Sequence, residues 1–225
     1  MVGPKPSSSS EPRDVRQAIL QAATALFAER GFEGASVQEI AEAVGLTKPG
    51  VLHHFPSKDE IRQAVLMAIV DHWQKRLPQL LLAASAGEDR FASVFGELHG
   101  FFSEDPHRSR LVLREVLDRP DHVRGLLMGP LKPWIEAIGG YVERGQKAGV
   151  HHGDVDGYAY VLHALSLAVS AAVMAPMGQK ALGGGREGLA RWNKELFRIA
   201  RSSLFRGTAE TKAPARGGKS RGHRE

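Results

Sequence analysis

Cysteine is absent from all 225 residues. That excludes disulfides, thiolate zinc sites, iron–sulfur clusters and a thiol nucleophile, and it fits a reducing compartment. Other signatures are missing too. Gly183 to Gly185 lack the Lys-Ser/Thr that a phosphate-binding loop needs. No cofactor is expected. The first twelve residues are rich in Pro and Ser and have no apolar core of the kind a secretory signal carries, so the cytoplasm is the expected location. Alternation of polar and apolar residues, the mark of a half-buried strand, is absent as well.

What remains is helical periodicity between two polar tails, 1–12 and 207–225, both predicted to be disordered. Val15, Ile19, Ala22, Ala23, Leu26 and Phe27 share a helical face that ends at Gly31. Val37, Ile40, Ala41 and Val44 repeat the spacing. A long helix over 57–84 carries Ile61, Val65, Ile69 and Trp73 and includes Pro78, a candidate kink. Further helices are predicted at 88–104, 107–118, 121–148 with a break at Gly129-Pro130 and Pro133, 154–175 and 186–205. The fold class is all-α. The stretch 158–177 is long and apolar enough to span a bilayer, but His163, Ser166, Ser170 and its many alanines favour a buried helix.

Residues 36–60 hold the most information. Ser36 with Glu39 forms a capping box that starts a short helix, 37–44. Gly45 follows, where a left-handed cap is needed. Thr47 is the N-cap of a second short helix with Pro49 in its first turn, and that helix stops before Pro56. Ser57 with Glu60 opens the long helix. Two short helices joined by a three-residue turn make a helix-turn-helix over about 36–55. Val51 and Phe55, four apart, face inward. Lys48, Pro49, Leu52 and His53 then face outward, flanked by Gly50 and His54. Lys48 and Lys58 can neutralise phosphates. Ser36, Thr47 and Gln38 can reach phosphate, or in the case of Gln38 a base edge, and the two histidines can bond a purine edge or a phosphate.

These residues resemble the DNA-binding domain of tetracycline-repressor (TetR) family regulators. The resemblance rests on Ala25-Leu26-Phe27-Ala28-Glu29-Arg30-Gly31-Phe32, Ile40-Ala41, Val44-Gly45-Leu46-Thr47-Lys48-Pro49-Gly50 and His54-Phe55-Pro56-Ser57-Lys58. One departure is visible: the family's usual Tyr in the recognition helix is missing, with Leu52 and His53 at the two candidate positions. The resemblance implies a DNA-binding domain over 13–72. Over 73–206 it implies a helical domain that binds a small-molecule effector and dimerises, giving a ligand-responsive repressor of a palindromic operator. Helices 154–175, dense in small residues, and 186–205 are the candidate dimer interface, since two reading heads one DNA turn apart require a dimer. Candidate effector contacts are His99, Phe102, Arg114, Trp134, Tyr141 and His163, with Arg114 also able to pair with Asp118. The alternative from another class is an all-α enzyme or metal-binding protein using C-terminal histidines. His151 and His152, adjacent in sequence, are poorly placed to share a metal.

Charge does not carry the DNA-binding argument. Lys and Arg number 30 against 25 Asp and Glu, a formal net charge of +5. Residues 13–77 hold eight of each sign, whereas 207–225 hold five basic and two acidic residues. The reading head must therefore act through local placement of Lys48, Lys58 and helix N-termini. The tail can add only non-specific, salt-sensitive affinity.

Overall fold

A computed structural model describes residues 12–83 and 88–207, so the two polar tails lie almost wholly outside the described residues. Ten helices appear among them: α1 (Pro12–Gly34), α2 (Val37–Ala43), α3 (Lys48–His54), α4 (Lys58–Ala83), α5 (Glu88–Glu104), α6 (Pro106–Asp118), α7 (Pro120–Met128), α8 (Lys132–Lys147), α9 (Gly157–Ala181) and α10 (Gly185–Ser202). The predicted 121–148 segment is two helices, parted where Gly129 leaves helical geometry ahead of Pro130. α9 runs past the predicted end at 175 and carries Pro176 within it, as α4 carries Pro78.

Three apolar cores organise the described residues. The first joins Ile19, Ala23 and Phe27 of α1 to Ile40, Val51, Phe55, Ile61 and Val65, with Leu111 of α6 sealing it from the other side. Each of these positions was apolar at helical spacing, so burial follows from the periodicity. The second core sets Phe91 and Phe95 of α5 against Val142, Ala168, Leu196, Leu204 and Phe205. The third packs Phe101 and Phe102 on Val169 and Ala172. α9 threads through both of the latter, and its alanines allow α5, α6, α8 and α10 to approach. At Gly178 a Cβ would fall within the Trp192 ring, so α9 and α10 can meet there only through glycine. Trp192 in turn donates its indole N–H to Ala171 O at 3.1 Å.

By length and composition α9 could cross a membrane. In this fold one side of it is core, while Tyr158, Leu162, Met174 and Met177 stay exposed, as do Leu189 and Ile199 of α10.

α1 is interrupted at Gly31, whose φ of 75° places it in the left-handed region. Arg114 of α6 sits against this break. Its Nε donates to Ala28 O at 3.0 Å and its NH2 to Glu29 O at 3.1 Å, closing off carbonyls that the ended helix leaves open. Arg114 therefore fixes α6 to α1, and the sequence expectation of an effector contact or an Asp118 pair is corrected. A second bolt lies close by: Arg62 of α4 meets Glu115 of α6 at 3.1 Å, both side chains buried.

Candidate nucleic-acid interface and effector cavity

The reading head is built by local hydrogen bonding, as its caps predict. Ser36 Oγ accepts from Glu39 N at 3.2 Å and Ser36 N donates to Glu39 Oε2 at 2.9 Å, completing the capping box. The Ser36 hydroxyl and backbone N–H hold the Glu39 carboxyl below its ordinary range, and an ion pair with Arg30 adds to this. Gly45 has φ of 68°, and Leu46 N bonds Ala41 O at 2.8 Å across the turn. Thr47 Oγ1 accepts from Gly50 N at 3.2 Å, and Pro49 sits in the first turn of α3, where its missing N–H leaves no bond unmade. Ser57 Oγ accepts from Glu60 N at 3.1 Å.

The consequence is a short helix held from behind. Val51 and Phe55 are buried, and the Arg16 guanidinium of α1 lies 4.2 Å from the Phe55 ring centre. On the opposite side Lys48, Pro49 and His53 are exposed, with Leu52, Gly50 and His54 half-buried. The His53 and His54 rings lie edge to face, 5.6 Å apart. Ser36, Gln38 and Thr47 are also exposed, and Gln38 Nε2 donates to Glu42 at 2.8 Å. Lys58 differs from the picture of a free surface lysine. Its Nζ donates to Ala35 O at 2.9 Å and lies 4.3 Å from the Phe32 ring centre, so one of its three N–H groups already ties α4 to the α1–α2 turn.

The C-terminal helices enclose a cavity of about 230 Å³, walled by α4 to α9 and by Leu204. Phe102, Trp134 and Tyr141, three of the expected contacts, line it. The other three do not. His99 is buried elsewhere, bridging Asn193 at 3.1 Å and Ser103 at 3.1 Å, and burial lowers its pKa. Arg114 clasps α1, and His163 is exposed on α9, outside the lining. Position along a helix says that a polar residue faces some neighbour but not which one, and here the neighbours are α10, α1 and solvent. Lining residues absent from the sequence expectation include Trp73, Glu115 and Tyr160. Trp73 was visible as the fourth apolar position of the α4 stripe. Glu115 carried no local signal, because its partner Arg62 lies 53 positions away in the chain.

His151, singled out in the sequence, is buried beneath α8. Its Nδ1 lies 3.0 Å from Val142 O, its ring is edge-on to Phe205, and its backbone bridges to that residue. Among the described residues no group of three His, Asp or Glu side chains could hold a metal ion.

A capped helix-turn-helix in front of a helical domain with its own cavity defines a class: DNA-reading proteins whose second domain can house a ligand. A family model described as bacterial regulatory proteins, tetR family, matches residues 19–65, from the middle of α1 into α4. Over those residues the chain is similar to the DNA-binding domain of TetR-family regulators. It is 31% identical over 90 residues to the transcriptional repressor KstR2 of Mycolicibacterium smegmatis, covering 40% of this chain and 44% of that one. To the transcriptional regulator RutR of Escherichia coli K12 it is 34% identical over 143 residues, 59% of this chain and 64% of RutR. The match thus spans less than two thirds of either relative. Two solved structures share the fold. KstR2 of Mycobacterium tuberculosis, described as a ketosteroid transcriptional regulator, has a TM-score of 0.66 at 17% identity, covering 92% of this chain and 100% of that one. FadR of Bacillus subtilis in complex with stearoyl-CoA has 0.65 at 16%, covering 83% and 98%.

Proposed function

We propose that the chain is a transcriptional repressor, not an enzyme, which binds a palindromic operator as a homodimer in the cytoplasm and releases it when a small molecule enters the C-terminal cavity. The observation that carries this reading is the exposed face of α3, with Lys48, Pro49 and His53 outward on a helix whose other side is locked by Val51 and Phe55. α3 lies in the major groove, Lys48 and the Ser36 and Thr47 hydroxyls meet phosphate, and Gly50 lets the backbone come close. Gln38, Leu52, His53 and His54 read base edges or the adjoining backbone, Leu52 against a thymine methyl. Lys58 keeps one N–H on Ala35 and turns the others to phosphate. Residues 13–72 form the reading domain and 73–206 the effector and dimer domain.

The dimer face is the exposed apolar side of α9 and α10, where Met177 is 62% and Ile199 43% exposed. Exposed apolar side chains grouped on one face support a protein–protein contact there. Effector binding acts through α6, which contributes to the cavity wall and holds α1 through Arg114 and α4 through Glu115. A ligand that favours a shifted α6 moves both reading heads and changes their spacing. Titrating the full chain into DNA from its own upstream region tests the reading. It expects a sequence-selective, salt-sensitive complex, and binding that is equal on random DNA of the same length counts against it.

A further inference from the structure

The repressor reading leaves the chemistry of the effector open, and the cavity wall restricts it. The surface that this wall presents is carbon almost throughout, from aliphatic and aromatic side chains. Three of the lining residues have their polar atoms bonded or buried. Glu115 meets Arg62 Nη1 at 3.1 Å and His122 Nδ1 at 3.3 Å, the Tyr160 hydroxyl donates to Ala200 O at 2.7 Å, and the Trp73 indole nitrogen is buried. One side of the wall comes from α7 and α8, whose chief helix neighbours are α6, α9 and each other. Val123 and Leu127 of α7 and Trp134, Ile135 and Ile138 of α8 line the cavity at helical spacing and are only half-buried. In a helical bundle such a stripe faces another helix. Here it faces the cavity, so covering it removes apolar surface from water with no hydrogen bond to make.

We propose that the effector fills this cavity with a hydrocarbon body, a chain or a ring system, and keeps any polar group at its end, outside the carbon wall. The cavity selects by volume and shape, not by hydrogen bonds or charge. This rests on the cavity being the effector site. Its size sets the length of the body: an apolar cavity of ~150 Å³ takes benzene, so about 230 Å³ takes roughly nine carbons. A hydroxyl in the middle of that body loses its water against carbon and gains no partner, a penalty that hydrocarbon does not meet.

Isothermal titration of the full chain with straight-chain 1-alkanols tests this. Affinity is expected to rise about fourfold per methylene and to level off at roughly nine or ten carbons, when the cavity is full. The isomer 5-decanol should bind at least tenfold more weakly than 1-decanol, since its hydroxyl is forced against carbon. Cyclooctane separates the two sources of such a body: binding as tight as that of 1-octanol marks a free hydrocarbon, and binding of the alkanols alone marks a chain with a head group. Ala164 lines the cavity, and Ala164→Leu should bring the levelling point about two or three carbons lower, because the added side chain takes up that space. If that variant does not fold, fluorescence of the wild type replaces it. Trp73 and Trp134 line the cavity and Trp192 does not, so 10-bromo-1-decanol should quench more than half of the tryptophan emission. No alkanol binding, affinity that climbs without levelling, 5-decanol binding as tightly as 1-decanol, a levelling point unmoved in Ala164→Leu, or unquenched emission overturns the inference. Operator binding is measured on the same samples without probe. Its loss together with intact alkanol binding refutes the repressor reading alone, and the converse refutes only the ligand class.

Discussion

Arg62 and Glu115 form a buried ion pair at 3.1 Å between α4, which follows the reading head, and α6, which lines the cavity. The side chains retain 7% and 6% of their exposure, so neither charge has water to fall back on. Glu115 also meets His122, and the Arg62 guanidinium lies 5.1 Å from the Phe32 ring centre. One pair of residues thus touches the reading head, the long helix and the cavity wall.

Removing one partner strands the other. Glu115→Gln or Arg62→Met is expected to destabilise the protein by about 3–5 kcal/mol in urea unfolding. The double replacement Arg62→Met with Glu115→Leu should cost less than either single change, since it leaves no buried charge behind. A double variant as unstable as the sum of the singles would show that the pair does not act as a unit.

Gly45 supplies a backbone conformation with φ of 68°, and a Cβ built there would touch nothing within 4 Å. The cost of Gly45→Ala is therefore one of backbone strain alone, about 1–2 kcal/mol. Gly45→Asn should cost less, because asparagine tolerates the left-handed region. Thermal unfolding of the three proteins checks the order.

How much of this was legible beforehand divides by range. The Ser36–Glu39 capping box, the Ser57 cap, Gly45, Thr47 and the inward pair Val51 and Phe55 each depend on residues within a few positions and are found in the structure, though Ser57 and Glu60 show only the bond from Glu60 N to Ser57 Oγ. Arg114, His99 and Lys58 depend on partners that lie far along the chain, on α1, on α10 and at Ala35. No periodicity reports such partners. The same limit hid the cavity, since Phe102, Trp134 and Tyr141 look like many other aromatic positions until α5 and α8 are brought together. Trp73 belonged to a stripe that reads as core, and only the folded chain shows that it lines the cavity.

Acidification should weaken the fold. Burial lowers the pKa of His99, and burial followed by the nearby Arg108 lowers that of His72, both from an ordinary value of 6.5. A depressed histidine is neutral in the folded state while the unfolded chain takes up a proton. Stability from these groups is therefore complete above about pH 6.5 and is lost as pH falls below it. Melting temperatures between pH 8 and pH 5 should decline on the acid side. The paired change His72→Gln with His99→Gln should flatten that decline.

Charge on the exposed α9–α10 face should separate subunits. Met177→Glu combined with Ile199→Glu is expected to convert a dimer into monomers in sedimentation velocity, with helical content unchanged. Operator affinity should fall at least a hundredfold, because each monomer then holds only one half-site. A monomeric wild type would remove the basis for this prediction.

The most direct test of the account is fluorescence anisotropy of labelled upstream DNA across a salt series, with wild type, Lys48→Ala and His53→Ala. The account predicts tight selective binding by the wild type. Lys48→Ala should bind all sequences more weakly, with the salt slope reduced by about one per reading head. His53→Ala should keep the slope and change the order of preference among half-site variants. Wild-type binding without sequence preference, or equal behaviour of all three proteins, would contradict it.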